Sequence, residues 1–239
     1  MKALIGHTGF VGSNLKEQYI FDDFYNSKNI RNIGGKKFDL IVCAGARGTK
    51  WKANKFPETD FNEIYRLIYH LDKVKFKQMV LISTIAVYEN PAENAYGKHR
   101  LFLETYLQNK HSNVTVVRLP ALFGKGLKKN PIYDMINRKY EYLPHLESQF
   151  QYYCLDNLWK DIEIVLENEL ETMNISPTPV PFKKVFGLFE KKNLDLSDAK
   201  IVKENMKTKH AKYWNKKGDY IYSVDETILQ LKNFIGKQK

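Results

Sequence analysis

The sequence predicts a doubly wound α/β fold, a parallel sheet covered by helices on both faces, with a small C-terminal lobe. Three observations carry this. Short continuous apolar runs such as Leu40-Ile41-Val42-Cys43-Ala44 recur without polar alternation, as strands buried on both faces do. Longer amphipathic stretches separate those runs. A glycine-rich turn joins the first run to the first of these stretches.

Taken in order, Lys2–Ile5 reads as a strand and Val11–Gln18 as a helix. Ile20–Tyr25 is a candidate second strand, and Leu40–Ala44 a buried third. Pro57–Lys73 is read as a helix, because Phe61, Ile64, Leu67, Ile68 and Leu71 recur at helical spacing. Met79–Ser83 is the next buried strand. Asn94–Gln108 is the next helix, with Leu101, Leu103 and Leu107 expected on its inner side. Val114–Leu119 is a strand that stops at Pro120. The second half is less regular. It offers a helix over 131–139, a strand over 149–155, a helix over 156–166, a short strand over 173–175 and a final helix over 225–235.

Composition sets outer bounds. A hydrophobic share of 43% with 27% charged residues excludes disorder as the main state of these 239 residues. Cys43 and Cys154 form neither a disulfide framework nor a Cys/His cluster, so no metal site is expected. No apolar run reaches membrane-span length and no secretory leader is visible, so the expectation is a cytoplasmic protein with no membrane partner. The formal charge of +11 favours an anionic ligand. The lysines are scattered rather than blocked, and no nucleic-acid-binding signature accompanies them, so a nucleic-acid partner is not expected.

Gly6-His7-Thr8-Gly9-Phe10-Val11-Gly12 follows a strand and opens a helix, the context in which such glycines cradle a dinucleotide's phosphates. Gly6 permits the tight turn, Gly9 lets the backbone approach the pyrophosphate, and Gly12 lets the helix sit against the strand. The helix N-terminus supplies N–H donors and partial positive charge. Thr8, Phe10 and Val11 complete the turn, and Ala44, Gly45 and Ala46 join the candidate cofactor set where the third strand ends. The second strand is expected to deliver Asn26, Ser27 and Lys28, with Arg31 beyond, to the position where an acid would select NAD. A hydroxyl and cations suit a 2′-phosphate, so of NADP(H) and NAD(H) the former is preferred. Asp22 and Asp23 would reverse that preference if the strand were shorter.

Thr84 follows a buried strand, and Tyr96-Gly97-Lys98-His99-Arg100-Leu101 begins a helix twelve residues later. Tyr96 and Arg100, four apart, share a helix face that brings the cation to the phenol. A phenol serves as acid or base near neutrality when a cation stabilises its anion. His99 is expected at the surface, and Trp51 and Trp159 in core or lobe contacts.

These segments resemble the NAD-dependent epimerase/dehydratase family, the extended or atypical short-chain dehydrogenase/reductases. The likeness rests on Gly6, Gly9 and Gly12, on Thr84 through Tyr88, on the Tyr96–Leu101 motif, on Arg118 through Gly124, and on Phe150 through Asp156. It runs from residue 1 to about residue 178. The chain departs from the family pattern at Arg100, where members carry lysine, and in a short segment between Thr84 and Tyr96.

The resemblance implies a Rossmann-type fold with a cofactor lobe of 1–124 plus 146–176 and a substrate lobe of 125–145 plus 177–239. It implies a nucleotide-sugar substrate and epimerisation, dehydration or keto reduction. Thr84, Tyr96 and Arg100 would form the catalytic set, with Tyr96, Arg100 and Pro120 also against the cofactor. Lys125, Asn130, Gln149 and Gln151, with Thr84, would meet the substrate, and a homodimer is left open. The competing reading is a dinucleotide-binding regulator or a degenerate, non-catalytic family member, which Arg100 favours.

Overall fold

The computed structural model describes residues 1–88, 90–189 and 194–238. In chain order the elements are β1 (Lys2–Ile5), α1 (Phe10–Gln18), β2 (Asp23–Tyr25), β3 (Lys37–Cys43), α2 (Lys50–Lys55), α3 (Pro57–Leu71), β4 (Lys75–Thr84), α4 (Ala95–Lys110) and β5 (Val114–Leu119). They continue as β6 (Ala121–Phe123), α5 (Pro131–Ile136), β7 (Gln149–Phe150), β8 (Tyr152–Cys154), α6 (Leu158–Glu167), β9 (Thr172–Asn174), β10 (Val180–Pro181), α7 (Phe182–Phe186) and α8 (Val224–Gly236). Contacts divide the chain into two compact units, Met1–Leu119 with Asn157–Asn174, and Pro120–Asp156 with Ile175–Lys239. The lobes expected from sequence instead change over after residues 124, 145 and 176; residues 190–193 and 239 of the second lie outside the described residues.

The first unit is a parallel sheet in the order β2-β1-β3-β4-β5-β9. Order reverses between β1 and β3, which makes that gap the switch point where doubly wound folds bind ligands. The register levels the strand ends there, since Ile5 pairs with both Tyr25 and Cys43. Gly6, Asn26 and Ala44 therefore leave the sheet side by side. β4 and β5 run further, to Thr84 opposite Leu119.

Alternation sorts the strand residues between two faces. Ala3, Ile5, Ile41, Cys43, Met79, Leu81, Val114 and Val116 share one core with Ile64, Leu67, Ile68 and Leu71 of α3 and Leu103 and Leu107 of α4. Behind Pro57 at its first position, α3 buries Ile64, Leu67, Ile68 and Leu71 of the stripe that its spacing predicts, but Phe61 is exposed and Asp60 is buried instead. Leu101 is exposed, contrary to expectation. Its inward place is taken by a polar stripe, Tyr96, Arg100 and Glu104, spaced four apart. On the opposite face α1 meets α6, where Trp159 stacks on Tyr19 at 3.6 Å and its backbone N–H donates to Gln18.

The second unit holds two small sheets, β6 parallel to β8 and β7 antiparallel to β10. Its core gathers Phe123, Ile132, Met135, Tyr152, Phe182 and Leu231, among others. The strand expected over 149–155 is interrupted at Gln151, whose fully buried side chain bridges Pro177 and Met206 instead of following a regular pleat. β2 starts three residues later than expected: Ile20 is 87% exposed, while Phe21 is buried ahead of the strand.

Candidate functional site

Sterics fix two glycines of the turn. Gly6 has φ +86°, and its N–H donates to the Tyr25 carbonyl at 2.7 Å. A Cβ there would lie 2.2 Å from the Ala44 carbonyl oxygen, and one at Gly12 would lie 2.2 Å from that of Gly6. Any side chain at Gly12 would lift α1 off the turn. Gly9 differs: its Cβ would meet only the Gly6 oxygen, at 3.3 Å, and Thr8 and Gly9 are exposed. Gly9 is the N-cap of α1 and offers no side-chain cap, and the first turn holds no acid, so the helix's N-terminal donors and partial charge stay uncompensated. Phe10 and Val11 are half-buried in that first turn. A backbone cradle with an uncapped helix end fits a dinucleotide's pyrophosphate.

Beyond β2 stand Asn26, Ser27 and Lys28. Asn26 is held within its loop: Oδ1 accepts from the Lys28 N–H at 2.9 Å, and Nδ2 lies 3.1 Å from His7 Nε2. Burial, then the Lys16 charge, pushes His7 below the ordinary histidine range, which suits a neutral ring accepting from that amide. Ser27 and Lys28 are exposed. Asp22 and Asp23 sit at the other end of the strand. Asp22 accepts from the Lys2 N–H at 2.6 Å, and Asp23 binds Lys36 at 2.7 Å and the Tyr25 hydroxyl at 2.8 Å. Ala44 donates its N–H to Ile5 at 2.9 Å, and Gly45 passes close to Ile5 and Leu67. Ala46 packs against the core on the α3 side.

Thr84 ends β4, and its Oγ1 accepts from the Ala86 N–H at 3.3 Å. Ala86 packs with Tyr96 and Ala53. Gly97 makes this approach possible, since a Cβ there would lie 3.0 Å from the Ala86 oxygen and from Pro91. Asn94 caps α4 by accepting from the Gly97 N–H at 3.1 Å, and Asn54 of α2 accepts from the Tyr96 N–H at 3.0 Å. The structure thus brings Thr84, Tyr96 and Arg100 into one neighbourhood of the first unit.

Arg100 is 3% exposed, with its guanidinium carbon 4.2 Å from the centroid of the Tyr96 ring. Nη1 donates to Asp60, while Nη2 donates to Asp60 Oδ1 at 2.9 Å and to the Arg47 carbonyl. Asp60 also accepts from His99 Nδ1 at 2.7 Å. Burial pushes the Asp60 carboxyl up, but hydrogen bonds from Arg100 and His99 outweigh it and hold the group below the usual carboxylate range. His99 is therefore not a surface residue: its side chain is 15% exposed and committed to Asp60. One turn further, Glu104 is buried and binds Ser83 and Arg118, the latter at 2.6 Å.

Sequence reasoning missed Asp60 and Glu104. Asp60 looks like an ordinary acid in the first turn of a helix, and nothing in the string separates it from Glu58. Trp51 departs from expectation, at 65% exposed, whereas Trp159 is buried.

The remaining candidates lie in the second unit. Pro120 is buried at its start, and Lys125 is exposed. Gln149 is exposed on β7, with its backbone N–H donating to Val202 at 2.8 Å. One candidate is corrected. Gln151 spends its amide on the Pro177 oxygen at 2.6 Å and on the Met206 oxygen and N–H at 2.8 and 2.6 Å. Asn130, at φ 116°, caps α5 by accepting from the Tyr133 N–H at 3.1 Å and donates to Leu122 at 2.8 Å. Gln151 thus holds the fold together with both amide hydrogens spent, whereas Asn130 is half-buried and keeps one amide hydrogen beyond its capping role. Among the described residues no helix is long and apolar enough to cross a membrane.

No protein-family model matches the chain, and no curated protein matches its sequence. Solved structures do match. A UDP-N-acetylglucosamine 4-epimerase from Methanobrevibacter ruminantium, in complex with UDP-N-acetylmuramic acid, superposes with TM-score 0.73 at 15% identity over 98% of this chain and 96% of its own. A UDP-glucose 4-epimerase from Thermotoga maritima, with UDP-glucose, gives 0.73 at 15% over 99% of each chain. A dTDP-4-dehydrorhamnose reductase from Bacillus anthracis, in complex with NADP, gives 0.72 at 16% over 99% of this chain and 98% of its own. At such identities the likeness establishes the fold, and the chain has the Rossmann-like α/β architecture of these nucleotide-sugar enzymes.

Proposed function

We propose that the chain is an NAD(P)-dependent enzyme that epimerises, dehydrates or reduces a nucleotide sugar, using Thr84, Tyr96 and Arg100. The observation that carries this is the convergence at one sheet edge. The Gly6–Gly12 turn, Asn26–Lys28 and Ala44–Ala46 follow strand ends there, and Thr84 is the last residue of β4. Structures of the same architecture that hold UDP-sugars or NADP support the ligand classes.

The α1 N-terminus and the Gly9 backbone would hold the pyrophosphate. Ser27 and Lys28, on the loop that Asn26 braces, would receive an adenosine 2′-phosphate, so NADP(H) is the preferred form. Ala44–Ala46 would line the dinucleotide's edge, and Pro120 would stand by its nicotinamide. The bound dinucleotide supplies hydride transfer at its nicotinamide. Tyr96 moves the proton at the reacting sugar oxygen, and the Thr84 hydroxyl donates a hydrogen bond to the same oxygen. Arg100 supplies positive charge beside the phenol ring. Lys125, Asn130 and Gln149 remain the substrate candidates of the second unit. The exposed Phe61, Tyr65 and Tyr69 stripe on α3 and Phe102 on α4 support a homodimer, and the positive charge suits a phosphorylated ligand.

Titration with NAD(H) and NADP(H), followed by a thermal-shift panel of UDP- and dTDP-sugars, tests the reading. A ligand at 100 times its Kd adds about 2.7 kcal/mol of stability. Failure of folded protein to bind either dinucleotide at millimolar concentration overturns it. Turnover that disappears in Tyr96→Phe, with dinucleotide affinity unchanged, supports the catalytic assignment. Occupation of Arg100 by Asp60 favours a second reading, a dinucleotide-binding regulator. Binding without turnover of any sugar that stabilises the protein selects it.

A further inference from the structure

We propose that Asp60 is a positioning residue for Tyr96, holding the Arg100 guanidinium as a fixed plate on which the phenol ring rests. This rests on the reading of Tyr96 as the proton-transfer group. Three segments meet at this point: α3 with Asp60, the start of α4 with Tyr96, His99 and Arg100, and the chain after β3 with Arg47. Arg100 is bound through both terminal nitrogens, to the two Asp60 oxygens and to the Arg47 carbonyl. The Arg47 side chain in turn pairs with Glu63 of α3 at 3.0 Å, so the carbonyl that receives Arg100 is tethered to the same helix as Asp60.

An arginine side chain has many rotamers, and a two-point carboxylate contact selects one orientation of its plane. The guanidinium carbon so held stands over the Tyr96 ring, 4.2 Å from its centroid. A lysine ammonium is a point charge on a flexible stem and offers no such surface. Arginine at position 100 and aspartate at position 60 are thus two halves of one device, and neither functions alone. Asp60 also cancels much of the Arg100 charge, which gives the pair a geometric role beside its electrostatic one. Asp60 reaches Tyr96 only through Arg100, and that route is what the test isolates.

The test is a double-mutant cycle read on Tyr96 itself. Acetylation of tyrosines by N-acetylimidazole, followed by peptide mass spectrometry, reports the accessibility of Tyr96 against exposed Tyr65 as internal reference. Asp60→Ala should raise Tyr96 labelling about tenfold by freeing the plate, and Asp60→Asn by a smaller factor. In an Arg100→Ala background, removing Asp60 as well should change labelling by less than about twofold. Equal increases in both backgrounds, or none in either, overturn the proposal. If Asp60→Ala does not fold, Asp60→Asn gives the same comparison in both backgrounds. Where turnover is found, Asp60→Asn should lower kcat about tenfold while KM and dinucleotide Kd stay within about twofold, the pattern of a misplaced acid rather than lost binding. Dinucleotide binding by the unmodified protein is measured in parallel: its absence removes the enzyme reading, while the labelling cycle still decides what Asp60 does.

Discussion

Replacing Gly12 and Gly9 separately with alanine should give opposite phenotypes. At Gly12 the new Cβ would lie 2.2 Å from the Gly6 oxygen, 2.7 Å from the Gly6 carbonyl carbon and 2.9 Å from the His7 Cα. All three are backbone atoms and cannot rotate away. An ordinary contact needs more than 3 Å, so α1 must retreat by about 1 Å, and overpacking of this kind costs about 1–3 kcal/mol. With backbone on both sides the upper end applies, and a melting temperature lower by roughly 6–12 °C is expected. At Gly9 the Cβ would meet one atom at 3.3 Å, and its φ of −81° is ordinary for alanine. Reduced freedom of the unfolded chain should leave Gly9→Ala as stable as the parent, or more stable by about 0.5 kcal/mol. That Cβ would stand between the backbone and the pyrophosphate, so dinucleotide affinity should fall about tenfold or more, a loss of at least about 1.4 kcal/mol. Differential scanning fluorimetry and NADPH fluorescence titration read the two effects independently. Undiminished stability in Gly12→Ala would refute the packing argument, and undiminished affinity in Gly9→Ala would refute the placement of the pyrophosphate.

Four further outcomes are expected. Glu104→Ala should destabilise the protein by about 3 kcal/mol in urea melts, because it strands Arg118 without its carboxylate. Gln151→Ala should cost about 3 kcal/mol by leaving the buried polar atoms of Pro177 and Met206 unpaired, and sugar-binding preference in the thermal-shift panel should not change. Hydrogen bonds from Lys216 and then the Ser223 backbone N–H hold the Glu226 carboxyl at about 2, so the stability that it lends α8 is present above the ordinary carboxylate range and is lost as pH falls towards 2; Ser223→Ala should cost about 1 kcal/mol at neutral pH through the lost cap, whereas Lys216→Met should flatten the acid limb of the melting profile. Lys28→Glu should weaken NADPH binding relative to NADH about tenfold or more in paired titrations, and an unchanged ratio would remove Lys28 from the 2′-phosphate contact.

By itself the sequence determined the doubly wound sheet, the strand–turn–helix opening and the position of the residues after β2, because each rests on local chemistry. Continuous apolar strands are buried between two helical layers, and glycines at Gly6 and Gly12 meet the tight turn and close packing that this strand-to-helix junction requires. The four-residue spacing of Tyr96 and Arg100 likewise guaranteed a shared helix face. Only the tertiary structure decided what that face meets. Asp60 lies forty positions from Arg100, and Arg118 fourteen from Glu104. No periodicity connects such pairs; they form because α3 and β5 are packed beside α4, and a buried charge must find a partner wherever the fold supplies one. The same reason turns Leu101 outward, closes His99 onto Asp60, and spends Gln151 and Asn130 on backbone groups. A polar side chain in a string reads equally as a ligand contact or a structural bond, and burial with named partners separates the two.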